Sequence, residues 1–142
     1  MVKRVYCQGM EDTIFAKIIR REVPAEIVYE DQETIAFLDI KPNNPGHTLV
    51  VPKHWSRNIF DMSDEDLSAL MICVKKVAHA VKEAMRADGV NIAMNNEPAA
   101  GQIVFQSHLH VIPRFEGDTR EHKTYKPGEA EEVAAKIRSV LK

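Results

Sequence analysis

The chain has 142 residues, 44% of them hydrophobic, and 19 Lys and Arg stand against 21 Asp and Glu for a formal charge of −2. This length and apolar content suit a single domain over residues 1–142, and the near balance of charge argues against nucleic acid or an anionic membrane as partner. The two cysteines, Cys7 and Cys73, are far apart and form no Cys-x-x-Cys pair, which points to a reducing, cytoplasmic setting; no apolar run is long enough for a signal peptide or a membrane span.

Residues 1–12 read as an N-terminal arm. Thr13 then caps a short helix carrying Ile14, Phe15, Ile18 and Ile19, which Pro24 ends. Ile27-Val28-Tyr29 and Thr34 to Asp39 form a two-stranded meander, and the turn-rich Lys41-Pro42-Asn43-Asn44-Pro45-Gly46 leads into a third strand at His47 to Pro52. Ser63, with acids at Asp64, Glu65 and Asp66 behind it, starts a helix over 64–86. Leu67, Leu70, Met71, Val74, Val77, Ala78, Val81 and Met85 recur there at helical spacing, with Gly89 just past its end. Val90 to Asn95 is a fourth strand. The loop Asn96 to Gly101 follows, then a fifth strand over Gln106 to Arg114, and residues 116–142 form a tail that ends in a helix with Ala130, Val133, Ala134, Ile137, Val140 and Leu141 on one side. Strands in a meander broken by one long helix make an α+β domain with an antiparallel five-stranded sheet.

The fifth strand carries the chemistry. Alternation sends Gln106, His108 and His110 to one face and Leu109 and Val111 to the other, so one face is buried and the other is armed. Histidine at such positions serves as nucleophile, acid, base or metal ligand near neutral pH. A pair of solvated or hydrogen-bonded sheet histidines is the plain alternative to either use.

Ala100-Gly101-Gln102-Ile103-Val104-Phe105-Gln106-Ser107-His108-Leu109-His110-Val111-Ile112-Pro113-Arg114 resembles the His-φ-His-φ-His-φ-φ signature, φ being apolar, of the histidine-triad (HIT) superfamily, in its HINT-like branch of nucleotide hydrolases and transferases. Phe37 to Pro42 with Pro45 to His54 is similar to that family's nucleoside-binding strand and turn, and Ile18 to Ala25 to its N-terminal helix and exit, so the likeness spans roughly residues 13 to 115.

The resemblance implies a HIT-like fold, a homodimer pairing through the long helix and a sheet edge, and a purine nucleotide as substrate or product. It implies His108 as nucleophile at the α-phosphorus, His110 as a phosphate contact and His47 as support from the neighbouring strand. Asp39 would bind the ribose hydroxyls, and Ile40, Phe15 and Ile18 would wall the base. Asn95, protonated His110 and the backbone amides of Gly101, Gln102 and Ile103 would be donors to the phosphate, and the Gln102 side chain would touch the leaving group or be solvated.

The implied activity is hydrolysis of nucleoside phosphoramidates or dinucleoside polyphosphates through a nucleotidyl-histidine, with release of a nucleoside monophosphate and no cofactor. Gln106 replaces the first triad histidine, a position one layer behind the reacting groups, and Ile103 replaces a common Ser or Thr. Thr13 and Ala16 stand where some microbial members carry a zinc-binding Cys-x-x-Cys, so no zinc site forms there. Two other readings are a zinc site on His47, His108 and His110, and a nucleotide-binding regulator with little turnover. Trp55 is placed at the pocket rim or the interface. Lys123, Tyr125 and Lys126 are placed near a second phosphate or in solvent.

Overall fold

In a computed structural model, which describes residues 12–141, one five-stranded antiparallel sheet organises the chain. The arm expected at 1–12 falls almost wholly outside the described residues. The strands are β1 (Ile27–Glu30), β2 (Thr34–Leu38), β3 (Thr48–Pro52), β4 (Gly89–Ala93) and β5 (Leu109–Arg114), in the order β1-β2-β3-β5-β4. The helices are α1 (Ile14–Ile19), α2 (Asp64–Met85) and α3 (Glu129–Leu141).

The caps follow their residues. Thr13 accepts the Ala16 N–H, and Ser63 accepts that of Asp66 beneath three acids in the first turn of α2. Two helix ends differ from expectation. Helix α1 stops at Ile19, with Arg21 taking a positive φ before Pro24 is reached. Helix α2 closes on Arg86 in the left-handed conformation, and Gly89 instead opens β4.

The sheet buries both faces over β2 and β3, not one. Ala36, Leu38, Val50, Leu109 and Val111 pack against Val74, Val77 and Val81 of α2 and Ile137 of α3. The opposite residues Ile35, Phe37, Leu49 and Val51 pack against Phe15 and Ile18 of α1. A short helix thus covers part of the face that alternation leaves polar, and the histidines lie beside that cover.

Ladder pairing of β5 begins at Leu109, so Gln106 to His108 form a lead-in to the strand. Ser56 holds this lead-in, accepting the Ser107 N–H at 2.9 Å on its carbonyl while the two hydroxyls lie 2.6 Å apart.

Candidate active site

The register explains how four residues distant in sequence converge. Leu38 pairs with Thr48, and Leu49 pairs with His110. Two-residue periodicity then puts Asp39, His47 and His110 on the face that holds Phe37 and Leu49. His108 joins them edge-on to His110, with ring centroids 5.2 Å apart.

Hydrogen bonds assign the tautomers of all three imidazoles. The Asn43 N–H donates to His47 Nδ1 at 3.1 Å, which leaves the proton of the neutral ring on Nε2. His47 Nε2–H donates to His110 Nδ1 at 2.9 Å, so His110 carries its own proton on Nε2. His108 faces an acceptor: its Nδ1–H donates to the Gln106 carbonyl at 2.7 Å, leaving a lone pair on Nε2.

Burial keeps the rings neutral. It pushes His47 down to about 3, with the charges of His110, His122 and Arg114 adding to the effect. Burial likewise lowers His108, against the opposing pull of its bond to the Gln106 carbonyl, and lowers His110, with His122 contributing. His110 therefore donates from a neutral N–H, which corrects the expectation of a protonated ring. Asp39 is raised by burial, opposed by its bond from the Lys41 N–H at 2.9 Å.

The metal reading fares poorly on the same bonds. Ligand atoms of Asp39, His47 and His110 lie within 4.8 Å of one another, and the set omits His108. His47 Nδ1 is already an acceptor, so freeing Nε2 for a cation would require an imidazolate or a broken Asn43 bond. Thr13 and Ala16 supply no thiolate, and the Thr13 hydroxyl instead donates to Gln106 Oε1.

Gln106 is fully buried, and its Nε2 has no partner among the described residues. The glutamine therefore serves as a link from the lead-in of β5 to the cap of α1.

The loop before β5 departs most from expectation. Gly101 has φ +91°, and a Cβ there would meet Asn95 Nδ2 only at 3.8 Å, so conformation and not space demands glycine. Its N–H donates to the Pro98 carbonyl and that of Gln102 to the Glu97 carbonyl, which leaves the Ile103 amide alone of the three without an acceptor among the described residues.

The Gln102 side chain is not the solvated loop amide that was one expectation. It is 4% exposed; Nε2 donates to the Arg57 and Val104 carbonyls, and Oε1 accepts from Asn58 Nδ2 and the Glu97 N–H. Sequence reasoning also missed Glu97, a non-glycine residue at φ +78°, whose carboxylate takes two bonds from Arg57 (2.9 and 3.0 Å) and one from Asn58 (2.6 Å). Asn95 stands beside Gly101, as its sequence position suggested.

Phe15 and Ile18 are buried, while Ile40 is 79% and Ile103 85% exposed. Phe37, 5.5 Å from Phe15 between ring centroids, is buried in the same apolar cluster. Trp55 binds the Phe105 carbonyl through Nε1 at 3.2 Å and so packs under the 103–105 loop.

Asp39, His47, His108 and His110 thus converge beside a glycine-containing loop. The HIT domain family matches residues 20–117, and the chain belongs to that family of nucleotide hydrolases and transferases.

Among its relatives, a HIT-like protein of Methanocaldococcus jannaschii is 50% identical over 105 residues, 74% of this chain and 81% of that protein. An adenylylsulfatase of Arabidopsis thaliana is 33% identical over 137 residues, 92% of this chain and 70% of that protein. The crystal structure of a HIT-like protein involved in cell-cycle regulation from Bartonella henselae superposes with TM-score 0.86 at 47% identity, over 93% of this chain and 99% of that one. No helix among the described residues is long and apolar enough to cross a membrane.

Proposed function

We propose that the protein hydrolyses purine nucleoside phosphoramidates or dinucleoside polyphosphates at the α-phosphate, with His108 as nucleophile. The observation that carries this reading is the bond from His108 Nδ1–H to the Gln106 carbonyl, which leaves Nε2 unprotonated. Nε2 attacks phosphorus, the P–N or P–O bond to the leaving group breaks, and that group takes a proton from solvent, to which the attacking water of the second step returns one. Water then cleaves the P–Nε2 bond and releases the nucleoside monophosphate.

The neutral His110 Nε2–H and the Ile103 amide donate to the phosphoryl oxygens, where charge builds in the transition state. The Asp39 carboxylate accepts from the ribose hydroxyls. Phe15, Ile18 and Ile40 hold the base, and the aromatic wall and purine preference follow from family resemblance. The named activity of the Arabidopsis relative, an adenylylsulfatase, fits the same chemistry at an adenylyl phosphorus.

The experiment is mass spectrometry on protein quenched during turnover of a phosphoramidate and a dinucleotide panel. A nucleotidyl adduct on His108 in the wild type and none in His108→Gly is the expected result. Tight monophosphate binding without turnover across the panel would replace the hydrolase with a binding module.

The same reading includes a cytoplasmic protein that works as a homodimer. Its β4 lies at the sheet edge, and Met71 and Ile92 expose apolar surface along the groove between α2 and that strand. A mass of two chains by sedimentation at micromolar concentration supports the dimer, and a monomer mass refutes it; cell fractionation tests the location.

A further inference from the structure

The turn 41–46 lies between Asp39 and His47, and nearly every residue in it is bound by the segment that follows β5. His122 Nδ1 binds the Lys41 carbonyl at 2.9 Å, and the Lys123 N–H donates to the Pro42 carbonyl at 2.6 Å. Lys123 Nζ donates to the Asn43 carbonyl, Asn44 Nδ2 donates to Asp118 Oδ2 at 2.8 Å, and the Tyr125 hydroxyl accepts the Gly46 N–H at 3.0 Å. Lys123 and Tyr125, which sequence reasoning sent toward a phosphate or solvent, are occupied in this way.

One peptide unit among these is decisive. The carbonyl of the Pro42–Asn43 peptide accepts from the Lys123 N–H, and its N–H donates to His47 Nδ1. The turn's own bonds, Lys41 N–H to Asp39 and His47 N–H to the Asn44 carbonyl, fix its ends and do not engage this peptide.

A flipped peptide would aim the Pro42 carbonyl at His47 Nδ1, which would then have to carry the proton. Nε2 would become an acceptor, His110 Nδ1 would become the donor, and His110 Nε2 would lose the N–H that faces the phosphate. The relay has two opposite polarities; the peptide plane acts on it at His47 Nδ1, while the Asp39 carboxylate, 3.6 Å from His47 Nε2, favours a proton on that nitrogen.

We propose that residues 118–125 are a positioning strap that holds the Pro42–Asn43 peptide in the orientation fixing His47, and through it His110, as Nε2–H tautomers. No strap residue touches the substrate in this scheme; each acts through the turn. The consequence for turnover rests on the hydrolase reading above, whereas the tautomer assignment does not.

The test is a long-range proton–nitrogen spectrum of 15N-labelled full-length protein at pH 8, which reads which ring nitrogen carries hydrogen. Two variants cut the strap differently: Lys123→Pro removes the N–H on the Pro42 carbonyl, and Lys123→Met/Tyr125→Phe removes two side-chain anchors while keeping the backbone. Thermal melts establish that each is folded.

The wild type is expected to show His47 and His110 as Nε2–H only. Each folded variant is expected to show a second population protonated on His47 Nδ1, with kcat lowered on the order of tenfold and by more than KM rises. Lys123→Arg, which keeps both donors, should restore the wild-type spectrum. A His47 that remains wholly Nε2–H in both folded variants overturns the strap. Failure of the hydrolase reading would show instead as a wild type without turnover, and it leaves the spectrum interpretable.

Discussion

The ring of Phe15 meets that of His108 edge-on, with centroids 4.9 Å apart and planes at 77°. Phe15 is also part of the α1 cluster with Phe37 and Leu49, so one side chain serves both the core and the surroundings of His108. Phe15→Ala should therefore lower stability by about 3 kcal/mol, the usual cost of an emptied aromatic site, and should weaken nucleoside monophosphate binding as well. Urea unfolding and titration calorimetry check the two effects separately. A loss of binding with unchanged stability would place the ring outside the core.

Acid should act on the three buried histidines together. Each has a folded pKa below the ordinary 6.5, so between that value and its depressed one the unfolded chain binds more protons than the folded one. Stability is then complete above pH 6.5 and falls as pH drops through the range from 6.5 toward 3, the lower bound being that of His47. Denaturant midpoints measured from pH 8 to pH 4 should decline accordingly. With His108 as the proposed nucleophile, the acid limb of kcat/KM should likewise lie below 6.5, because burial lowers its pKa from that value.

Gln102→Ala should destabilise the protein by about 2–3 kcal/mol, since it strips partners from the buried Asn58 amide and the Glu97 N–H. Thermal unfolding reads the cost. Turnover should fall through altered shape of the 97–102 loop, with KM and kcat both affected. A fully stable variant would mean that water replaces the amide.

At Glu97 the ordinary ranking of substitutions should invert. Its φ of +78° with ψ of 156° is a conformation that glycine adopts freely and side chains resist. Both Glu97→Gly and Glu97→Ala lose the Arg57 bonds, so the difference between them isolates the backbone. Glu97→Gly should melt at the higher temperature; the reverse order would show that the loop relaxes when the carboxylate is gone.

Gly46 combines two obstacles to a side chain. Its φ is +98°, and a Cβ there would lie 2.6 Å from Met85 Cγ and 3.3 Å from Pro113. Gly46→Ala should cost about 2–3 kcal/mol, the sum of left-handed strain and steric displacement. Adding Met85→Ala should couple favourably with it in a double-mutant cycle, relieving the contact and leaving the strain. Additive effects would show that the α2 terminus shifts instead.

The strands and helices in chain order, and the closeness of His108 and His110, were readable because they depend on short-range signals. The Thr13 and Ser63 caps, the apolar repeat of α2 and the alternation of β5 all act within a few residues. Gln102 and Glu97 were beyond such reading. Their roles come from Arg57 and Asn58, some forty residues earlier in the chain, and no local pattern carries that pairing. The neutral state of His110 was hidden for a similar reason: its proton is assigned by His47, which is itself set by Asn43 and its neighbours. Helix α1, expected to run to Pro24, stops at Ile19 because Arg21 takes a left-handed conformation usually given to glycine, and Arg86 instead of Gly89 supplies the left-handed residue that closes α2.

The bond from Thr13 to Gln106 spans 93 positions of sequence. Helix α1 has six residues, too few to persist alone in water, and its cap residue is tethered to a segment made late in synthesis. The α1 cover over this face of the sheet and the lead-in that carries His108 must therefore assemble together. A nascent or truncated chain that lacks β5 should hold no partial nucleotide site, and the first ligand-binding species in refolding should already carry nearly the full sheet.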